Sequence, residues 1–537
     1  MKIKISILSQ FVFVIWALAA SVTPLSAQGM ISAPSSEEDP SEIMIESLGK
    51  IGAQEVSTIQ HLLRRLGYLK DGDMTREMDA ATTAALLLHL QSVKISAKGL
   101  TGDAITRSLF SVVWNKEGWA TGNVNGQDLV VETADVRTAQ DALRKLGYVP
   151  GPADGVFGPA TLSAIEIFQE DNGMKVTGLL TRNTFQNVTR AVDFIGKTPS
   201  SVVHVFNWPD YINPEVIENF EKETGIRIIH DTYENASERQ KVLLSVSDKY
   251  DVVLQGGSEM SEVLASKNAI EVLDRAKLPN SLYIDPAVLR NTEEVDSGNL
   301  HSVPYAWGTV GLGVNKEKLK RIRPGLKLDS LSLILDPAIA ADVSKCGIAV
   351  IDEPIDIVPA FVAYTGGDVS QIGTTDLEDV EQALSKVAKY IKIVSVESYI
   401  DDLAEGKYCV VLGYSGDIFL ARDMAAEKKT GSIAYSVPKE GGQLWFDLFV
   451  IPSAAKNKEG AYQFINYMMK PEVAGANTNF IQYANPISAS APFIKKELLA
   501  DPGLYPSKSV MKRLAVQPPL EPGVSVMLKR IWAKLGK

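Results

Sequence analysis

The stretch SVVHVFNWPDYINPEVIENFEKETG occupies residues 201–225 and contains the pattern that decides the fold. Its β-branched start predicts a buried strand at 202–206, and its amphipathic second half predicts a helix at 214–224. Similar runs predict further strands at 250–254, 408–412 and 444–449 and further helices at 378–390 and 458–469. This alternation is typical of an α/β fold with mostly parallel sheets. The 337 residues that follow position 200 are enough for two lobes.

Aromatic and polar residues follow the predicted strands at their carboxyl ends, where open α/β sheets bind ligands. The segments are Asn207-Trp208-Pro209-Asp210-Tyr211, Gly256-Gly257-Ser258 and Gly413-Tyr414-Ser415-Gly416-Asp417. In addition, Asp447 interrupts the apolar run Leu444-Trp445-Phe446-Asp447-Leu448-Phe449, where an unpaired carboxylate would be costly. Acids and rings together suit a linear diamine, because ammonium groups require carboxylates or ring faces and methylenes prefer apolar walls.

Each of these residues also has a purely structural interpretation. Trp208 and Trp445 could belong to the core, Asp210 could cap the helix that begins at Pro214, and Asp417 could be a turn residue. Asp447 is the hardest to explain in this way, because it lies between large apolar neighbours.

The N-terminal part of the chain contains an internal repeat. QHLLRRLGYL at 60–69 returns as QDALRKLGYV at 140–149, with an offset of 80 residues. The second copy predicts helices at 136–146 and 181–188 and a third that opens at Pro159, with Gly147 placed to end the first. We therefore expect two small three-helix all-α modules before the α/β region.

Residues 1–27 have the layout of a secretory signal peptide: Lys2 and Lys4, an apolar run at 11–18, and small residues before a cleavage site after about Ala27. An uncleaved membrane anchor is the alternative. Export would place Cys346 and Cys409 in an oxidising compartment, where they could form one disulfide or remain two buried thiols.

Composition narrows the function classes. The 537 residues are 45% hydrophobic and 22% charged, with a net charge of −11, so a globular protein with no nucleic-acid partner is expected. The five histidines and two cysteines show no ligand spacing, so we predict no metal and no cofactor. We find no Ser-His-Asp or Cys-His arrangement and no HExxH, so no enzyme is expected.

Residues 201–537 resemble, over their full length, the periplasmic polyamine-binding proteins of ABC importers, and the putrescine-specific members most closely. The matching stretches are NWPDYINPEVIENFEKETGI, YDVVLQGGSE, VPYAWGTVGLGVN, YIDDLAEGKYCVVLGYSGD, FDLFVIPSAAKNKEGAYQFINY and YANPISA. The resemblance implies a two-lobed periplasmic-binding-protein fold with a Cys346–Cys409 disulfide and ten ligand-binding residues. These are Trp208, Asp210, Tyr211, Ser258, Asp356, Tyr414, Asp417, Trp445, Asp447 and Tyr483.

Within that set, the resemblance assigns the two terminal ammonium groups to Asp417 and Asp447. Four positions depart from the putrescine-specific pattern: Pro209 replaces serine, Asp356 glutamate, Tyr414 tryptophan and Trp445 phenylalanine. These changes leave putrescine, cadaverine and spermidine open as ligands.

The resemblance further implies crossover strands near 305–315 and 436–452 that let the lobes close on the ligand. It also implies an ABC permease of the inner membrane as partner, and hence a periplasmic protein. A polyamine sensor that signals through another membrane protein is the alternative function.

The segments LRKLGY, DGVFGPAT, AIEIFQ and GLLT resemble a peptidoglycan-binding-like helical domain over residues 131–193. This implies noncatalytic attachment to peptidoglycan, with a contact region around Asp154, Gly155 and Phe157; both modules could instead be spacers. The first copy, at 50–112, lacks the Phe-Gly pair and is a degenerate version. The predicted boundaries are a signal peptide at 1–27, linkers at 28–49, 113–130 and 194–200, modules at 50–112 and 131–193, and a solute-binding domain at 201–537.

Overall fold

The computed structural model describes most of the chain after residue 52. The described residues are 53–70, 77–93, 102–116, 123–124, 127–130, 132–197, 201–233, 235–245, 247–266, 268–396, 398–517 and 520–535. The predicted signal peptide and the linker at 28–49 lie outside them.

The N-terminal part folds into two groups of three helices, as the repeat predicts. The first helical group is α1 (Ala53–Arg65), α2 (Ala80–Ser92) and α3 (Gly102–Lys116); the second is α4 (Thr133–Lys145), α5 (Pro159–Asp171) and α6 (Arg182–Ala191). A short hairpin, β1 (Asn123–Val124) and β2 (Gln127–Asp128), lies between them. The repeat has the same helix end in both copies: Gly67 and Gly147 adopt φ of 83° and 95° just after α1 and α4, a conformation that favours glycine.

The two helical groups contact each other through a buried carboxylate. Glu166 of α5 has no exposed side-chain surface and lies 2.7 Å from His61 Nδ1 and 3.2 Å from Arg65 Nη1 of α1. Phe157 packs against the apolar residues of both groups, so this expected glycan-contact residue has a structural role. Asp154 accepts a hydrogen bond from the backbone of Val156 and so stabilises its own turn.

In the described part of the α/β region, ten strands form one mixed sheet. They are β3 (Ser201–Asn207), β4 (Ile226–Thr232), β5 (Val252–Gly256), β6 (Ser302–Asn315), β7 (Ile348–Ile351), β8 (Ile391–Val394), β9 (Val410–Tyr414), β10 (Ile433–Ser436), β11 (Gly442–Val450) and β12 (Leu514–Ala515). Their order is β4-β3-β5-β11-β6-β9-β7-β8, with β10 on β6 and β12 on β11.

Helices connect and cover these strands. They are α7 (Pro214–Thr224), α8 (Ala236–Leu244), α9 (Met260–Ala265), α10 (Pro286–Thr292), α11 (Lys316–Ile322), α12 (Ser332–Leu335), α13 (Pro337–Val343), α14 (Pro354–Thr365), α15 (Thr374–Val387), α16 (Tyr399–Ala404), α17 (Ser415–Lys428), α18 (Lys458–Met468), α19 (Pro471–Ile481), α20 (Lys496–Leu499), α21 (Lys508–Met511) and α22 (Pro522–Leu535). The expected α/β fold after a helical N-terminal region is confirmed.

The sheet divides into two lobes with separate apolar cores. In lobe 1, β3 runs parallel to β4 and β5, and in lobe 2, β7 runs parallel to β8 and β9. The long strand β6 joins them, because residues 302–309 pair with β11 and residues 310–314 pair with β9. The chain returns to lobe 1 through β11, as expected from the sequence.

A third crossing was not predicted. The two-residue strand β12 pairs with Gly442 and Gln443 at the start of β11, and α22 then packs into the core of lobe 2. This crossing could not be predicted because β12 is only two residues long, which is too short for a recognisable apolar pattern in the sequence. Among the described residues, three chain segments rather than two therefore connect the lobes.

Cys346 and Cys409 form the disulfide that the resemblance implied, with their Cα atoms 5.6 Å apart. The bond connects the turn before β7 to the residue before β9, which are neighbouring strands of lobe 2. It therefore braces lobe 2.

The second helical group covers the outer edge of lobe 1. Asn187 of α6 pairs with the backbone of His230 on the edge strand β4: its Nδ2 donates to the carbonyl at 2.7 Å and its Oδ1 accepts from the amide at 3.1 Å. Asn183 donates to the same carbonyl at 2.8 Å. Ile229 of β4 belongs to the apolar core of this helical group. The backbone amide and carbonyl of His230, on an edge strand of the sheet, thus form hydrogen bonds with side chains of the same protein.

We predict that Asn187→Ala lowers the free energy of urea unfolding by about 1–3 kcal/mol, because it leaves a buried backbone amide unpaired. Asn183→Ala is the matched control: it removes a bond to the same carbonyl but leaves the Asn187 pair, so it should cost less. Equal stability of Asn187→Ala and the unaltered protein would contradict the assignment.

Candidate functional site

The predicted site residues meet where the two lobes join. Lobe 1 contributes residues after β3 and β5, on β11 and after α19; lobe 2 contributes the end of β9 and the first turns of α14 and α17. The region is closed over, since Tyr211, Asp447 and Tyr483 expose 9%, 8% and 5% of their surface. Any ligand that reaches these groups requires the lobes to separate.

Asp447 lies on β11 with its carboxylate in the lobe junction. Tyr211 donates a hydrogen bond to its Oδ2 at 2.8 Å. The carbonyl of Tyr211 in turn accepts from the hydroxyl of Tyr305 on β6 at 2.6 Å, which fixes the loop after β3. Burial raises the pKa of Asp447 to about 7, while the Tyr211 hydrogen bond opposes the increase.

Asp417 bridges the two lobes. It lies in the first turn of α17 in lobe 2, and its Oδ1 accepts from the hydroxyl of Tyr483, a lobe 1 residue, at 2.6 Å. Its Oδ2 accepts from Tyr399 of α16 at 2.9 Å. Burial raises the pKa of Asp417, and the two phenol hydrogen bonds oppose that increase.

Asp356 lies in the first turn of α14 and faces residues of three other segments. Its Oδ2 accepts from Tyr414 at 2.6 Å, and its Oδ1 accepts from Gln443 of β11 at 2.9 Å. Burial and the nearby carboxylate of Glu259 raise the pKa of Asp356 to about 6, while hydrogen bonds from Tyr414, Gln443 and Ser258 lower it. Burial, together with Asp356, raises the pKa of its neighbour Glu353 to about 8.

Aromatic rings surround these carboxylates. Trp445 meets Tyr414 and Tyr483 edge to face, with ring centroids 5.8 and 4.9 Å apart. Tyr211 lies 5.8 Å from Tyr483. Trp208, half-buried after β3, packs edge to face on Tyr233 at 4.5 Å. These contacts supply the apolar walls that the sequence predicted beside the acids.

The three aspartates lie together without an ion-pair partner: Asp447 is buried, and Asp356 and Asp417 are half-buried. Within the described part of the chain, none of Asp356, Asp417 and Asp447 forms a salt bridge with Lys, Arg or His. Their donors are neutral phenol and amide groups, which satisfy the oxygens but do not neutralise the charge. Burying carboxylates in this way is costly, and a cation of matching shape would remove the cost.

Asp210 is placed differently from the other nine predicted residues. It is exposed and lies in a turn with φ of 51°. It is also not the helix cap considered as its alternative, because the side chain of Asn213 accepts from the backbone of Glu215 at the start of α7. Ser258 lies in the turn after β5, 3.3 Å from Glu259.

Several residues of the site were missed in the sequence. Tyr399, Gln443 and Glu353 carry no local pattern, since each reaches its partner across the fold. Glu259 directly follows Ser258, so its position after a strand was the available signal. Arg239, on α8, is buried against Glu259 and gives no sequence signal at all.

A metal site and a membrane span were also sought. Among the described residues, no group of three or more His, Cys, Asp or Glu side chains is placed to hold a metal ion. No helix in the same ranges is long and apolar enough to cross a membrane.

Comparison with known families agrees with this geometry. Residues 215–505 match the family described as "Bacterial extracellular solute-binding protein", which is more than half of the chain. Residues 132–187, almost all of the second helical group, match the family "Putative peptidoglycan binding domain".

Named relatives are similar over nearly their whole length. The putrescine-binding periplasmic protein SpuD of Pseudomonas aeruginosa is 36% identical over 338 residues, which are 63% of this chain and 92% of the relative. The corresponding protein PotF of Escherichia coli K12 is 33% identical over 336 residues, 62% of this chain and 90% of the relative.

A solved structure shows the same fold. The spermidine/putrescine ABC transporter substrate-binding protein PotD of Streptococcus pneumoniae superposes with a TM-score of 0.54 at 24% identity, covering 63% of this chain and 98% of that one. The match over residues 215–505 and the relatives SpuD and PotF place the chain in a family. The protein belongs to the bacterial extracellular solute-binding proteins.

Proposed function

We propose that this protein is a periplasmic solute-binding protein that captures a linear polyamine, putrescine in particular, for import by an ABC permease. The observation that carries the proposal is the cluster of three aspartates, one buried and two half-buried, none of which forms an ion pair in the described part of the chain. A linear dication supplies the missing positive charge at two points and presents methylenes to the rings between them.

The proposed ligand contacts follow from the geometry of each acid. Asp417 and Asp447 would take the terminal ammonium groups, because each retains acceptor capacity beside its phenol donors. Trp445 and Tyr211 would form the walls along the methylene chain. Asp356 lies beyond Trp445, next to Tyr414, and would set the length of the site from that side.

Binding needs no covalent step. The lobes would open about the segments that join them, admit the ligand, and close so that Tyr483 again meets Asp417 across the junction. Closure excludes water and so strengthens each ion pair. The closed form would present the surface that a permease reads.

The relatives favour transport over sensing. SpuD and PotF carry names of putrescine-binding periplasmic proteins, and PotD is named as a substrate-binding protein of an ABC transporter. The departures at Asp356, Tyr414 and Trp445 keep the acids and rings in place, so they alter ligand length rather than ligand class.

We further propose that residues 131–193 attach the protein to peptidoglycan. The family match at 132–187 supports this role. The contact surface would differ from the region around Phe157, which is packed between the helical groups. Because the second helical group is fixed to β4, attachment would orient lobe 1 relative to the cell wall.

We predict that Asp447→Asn weakens putrescine binding by about 30-fold or more, because losing one partner of a buried charge pair costs about 2–5 kcal/mol. Calorimetric titration measures the loss. The control is Asp379→Asn, the same change at an exposed position of α15, which should bind like the unaltered protein. Tight binding by Asp447→Asn would contradict the proposed site.

The raised pKa values predict a pH dependence. Protons compete with the diamine for Asp447, whose pKa is about 7, and Asp356, whose pKa is about 6. Putrescine affinity should therefore fall by about tenfold or more between pH 8 and pH 5. An affinity that is flat over this range would refute the assignment.

The stability of the unliganded protein should change with pH in the opposite direction. Ionising these groups costs folding free energy, so the stability falls as the pH rises through the same window.

Peptidoglycan attachment is tested by sedimentation with purified sacculi. The full-length secreted protein should appear in the pellet, and should return to the supernatant when the sacculi are first digested with a muramidase. Protein that stays wholly in the supernatant with intact sacculi would rule out this role.

A further inference from the structure

An ion pair between a buried arginine and a half-buried glutamate lies beside Asp447. Arg239 of α8 is 1% exposed, and its Nη2 lies 3.0 Å from Oε2 of Glu259. Its guanidinium carbon lies 5.3 Å from the ring of Tyr233 and 5.9 Å from that of Trp208. Arg239 is thus held against one of the proposed ring walls, at a position that neither the sequence nor the resemblance had singled out.

The pair occupies the space directly beside Asp447. Gly256 on β5 is the cross-strand partner of Asp447, so a side chain at 256 would project to the same face. A Cβ added there would lie 2.6 Å from Oε2 of Glu259 and 3.1 Å from Nη2 of Arg239. Only glycine at position 256 leaves room for the Glu259 carboxylate and the Arg239 guanidinium. These two groups therefore fill the space next to Asp447 that a side chain at 256 would otherwise occupy.

The pair also sets the charge around Asp447. Arg239 lowers the pKa of Asp447 and Glu259 raises it, so both charges reach this carboxylate. Because they oppose each other at Asp447, the pair adds little net charge beside this carboxylate, whereas Glu259 also faces Asp356 and raises its pKa. Glu259 is therefore occupied by Arg239, and an additional ammonium group at this end would meet a guanidinium instead of an available acid.

We propose that the Arg239–Glu259 pair is a specificity-determining element that limits the site to ligands with two cationic nitrogens and rejects triamines. The inference rests on the proposed polyamine function and deepens it: the pair closes the Asp447 end to a third positive charge. Its neutrality explains how an arginine is tolerated in a site for cations.

Three variants separate the two charges: Glu259→Gln, Arg239→Met and the double variant. Each is titrated with putrescine and with spermidine in a calorimeter, and circular dichroism establishes that it is folded. Glu259→Gln leaves the guanidinium uncompensated beside Asp447, so both ligands should bind about tenfold or more weakly. Arg239→Met makes Glu259 available, so the ratio of spermidine to putrescine affinity should rise about tenfold or more.

The double variant exchanges a neutral pair for two neutral side chains, so it should bind putrescine within about threefold of the unaltered protein. If Arg239→Met does not fold, Glu259→Gln decides: putrescine affinity within threefold of the unaltered protein overturns the inference. An unchanged ligand ratio in folded Arg239→Met also overturns it. An unaltered protein that binds neither amine would instead overturn the proposed function itself.

Discussion

The clustering of three carboxylates without ion-pair partners, with Asp447 buried and Asp356 and Asp417 half-buried, is the constraint on which the rest of this structure depends. Asp356, Asp417 and Asp447 are each held by phenol or amide donors, which satisfy their hydrogen bonds but leave their charge in place. A protein interior favours such groups only when protonated or paired, and their pKa values are raised accordingly. The folded protein therefore stores an electrostatic cost at the lobe junction that a bound dication would relieve.

The aspartates responsible for this electrostatic cost belong to different lobes. Asp447 belongs to lobe 1 and Asp417 to lobe 2, so the closure proposed above would bring the two charges together. The hydrogen bond from Tyr483 to Asp417 joins the lobes directly. The second helical group is attached far from this junction, on the edge strand β4, and protects that edge from pairing with other chains.

Much of the fold could be read from local pattern. The helix at 214–224 follows from hydrophobic periodicity, part of β11 follows from the apolar run at 444–449, and the helical repeat follows from identical spacing in two copies. The long strand β6 was expected only from the resemblance. Asp447 was recognisable because an acid in an apolar strand requires an explanation. By contrast, β12 is too short to give a signal, and the fixed position of the second helical group depends on Asn187 reaching a backbone 43 residues away.

Part of the candidate site could be predicted from the sequence. Strand-end positions and the resemblance identified the acids and rings, while Tyr399, Gln443 and the Arg239–Glu259 pair depend on tertiary contacts that no local pattern encodes. Asp210 shows the reverse: a position next to two site residues along the chain is turned to solvent by a left-handed backbone. Residues that are close in the sequence need not have side chains on the same side of the backbone.

Proton release on ligand binding tests the central claim most directly. Putrescine is titrated into the protein at pH 6 and pH 8 in pairs of buffers with different ionisation enthalpies, and the difference in heat gives the number of protons exchanged. If these aspartates are partly protonated in the unliganded protein, the bound dication favours their ionised form. Binding then releases protons at pH 6 and fewer at pH 8. Binding without proton release at pH 6 would contradict the account.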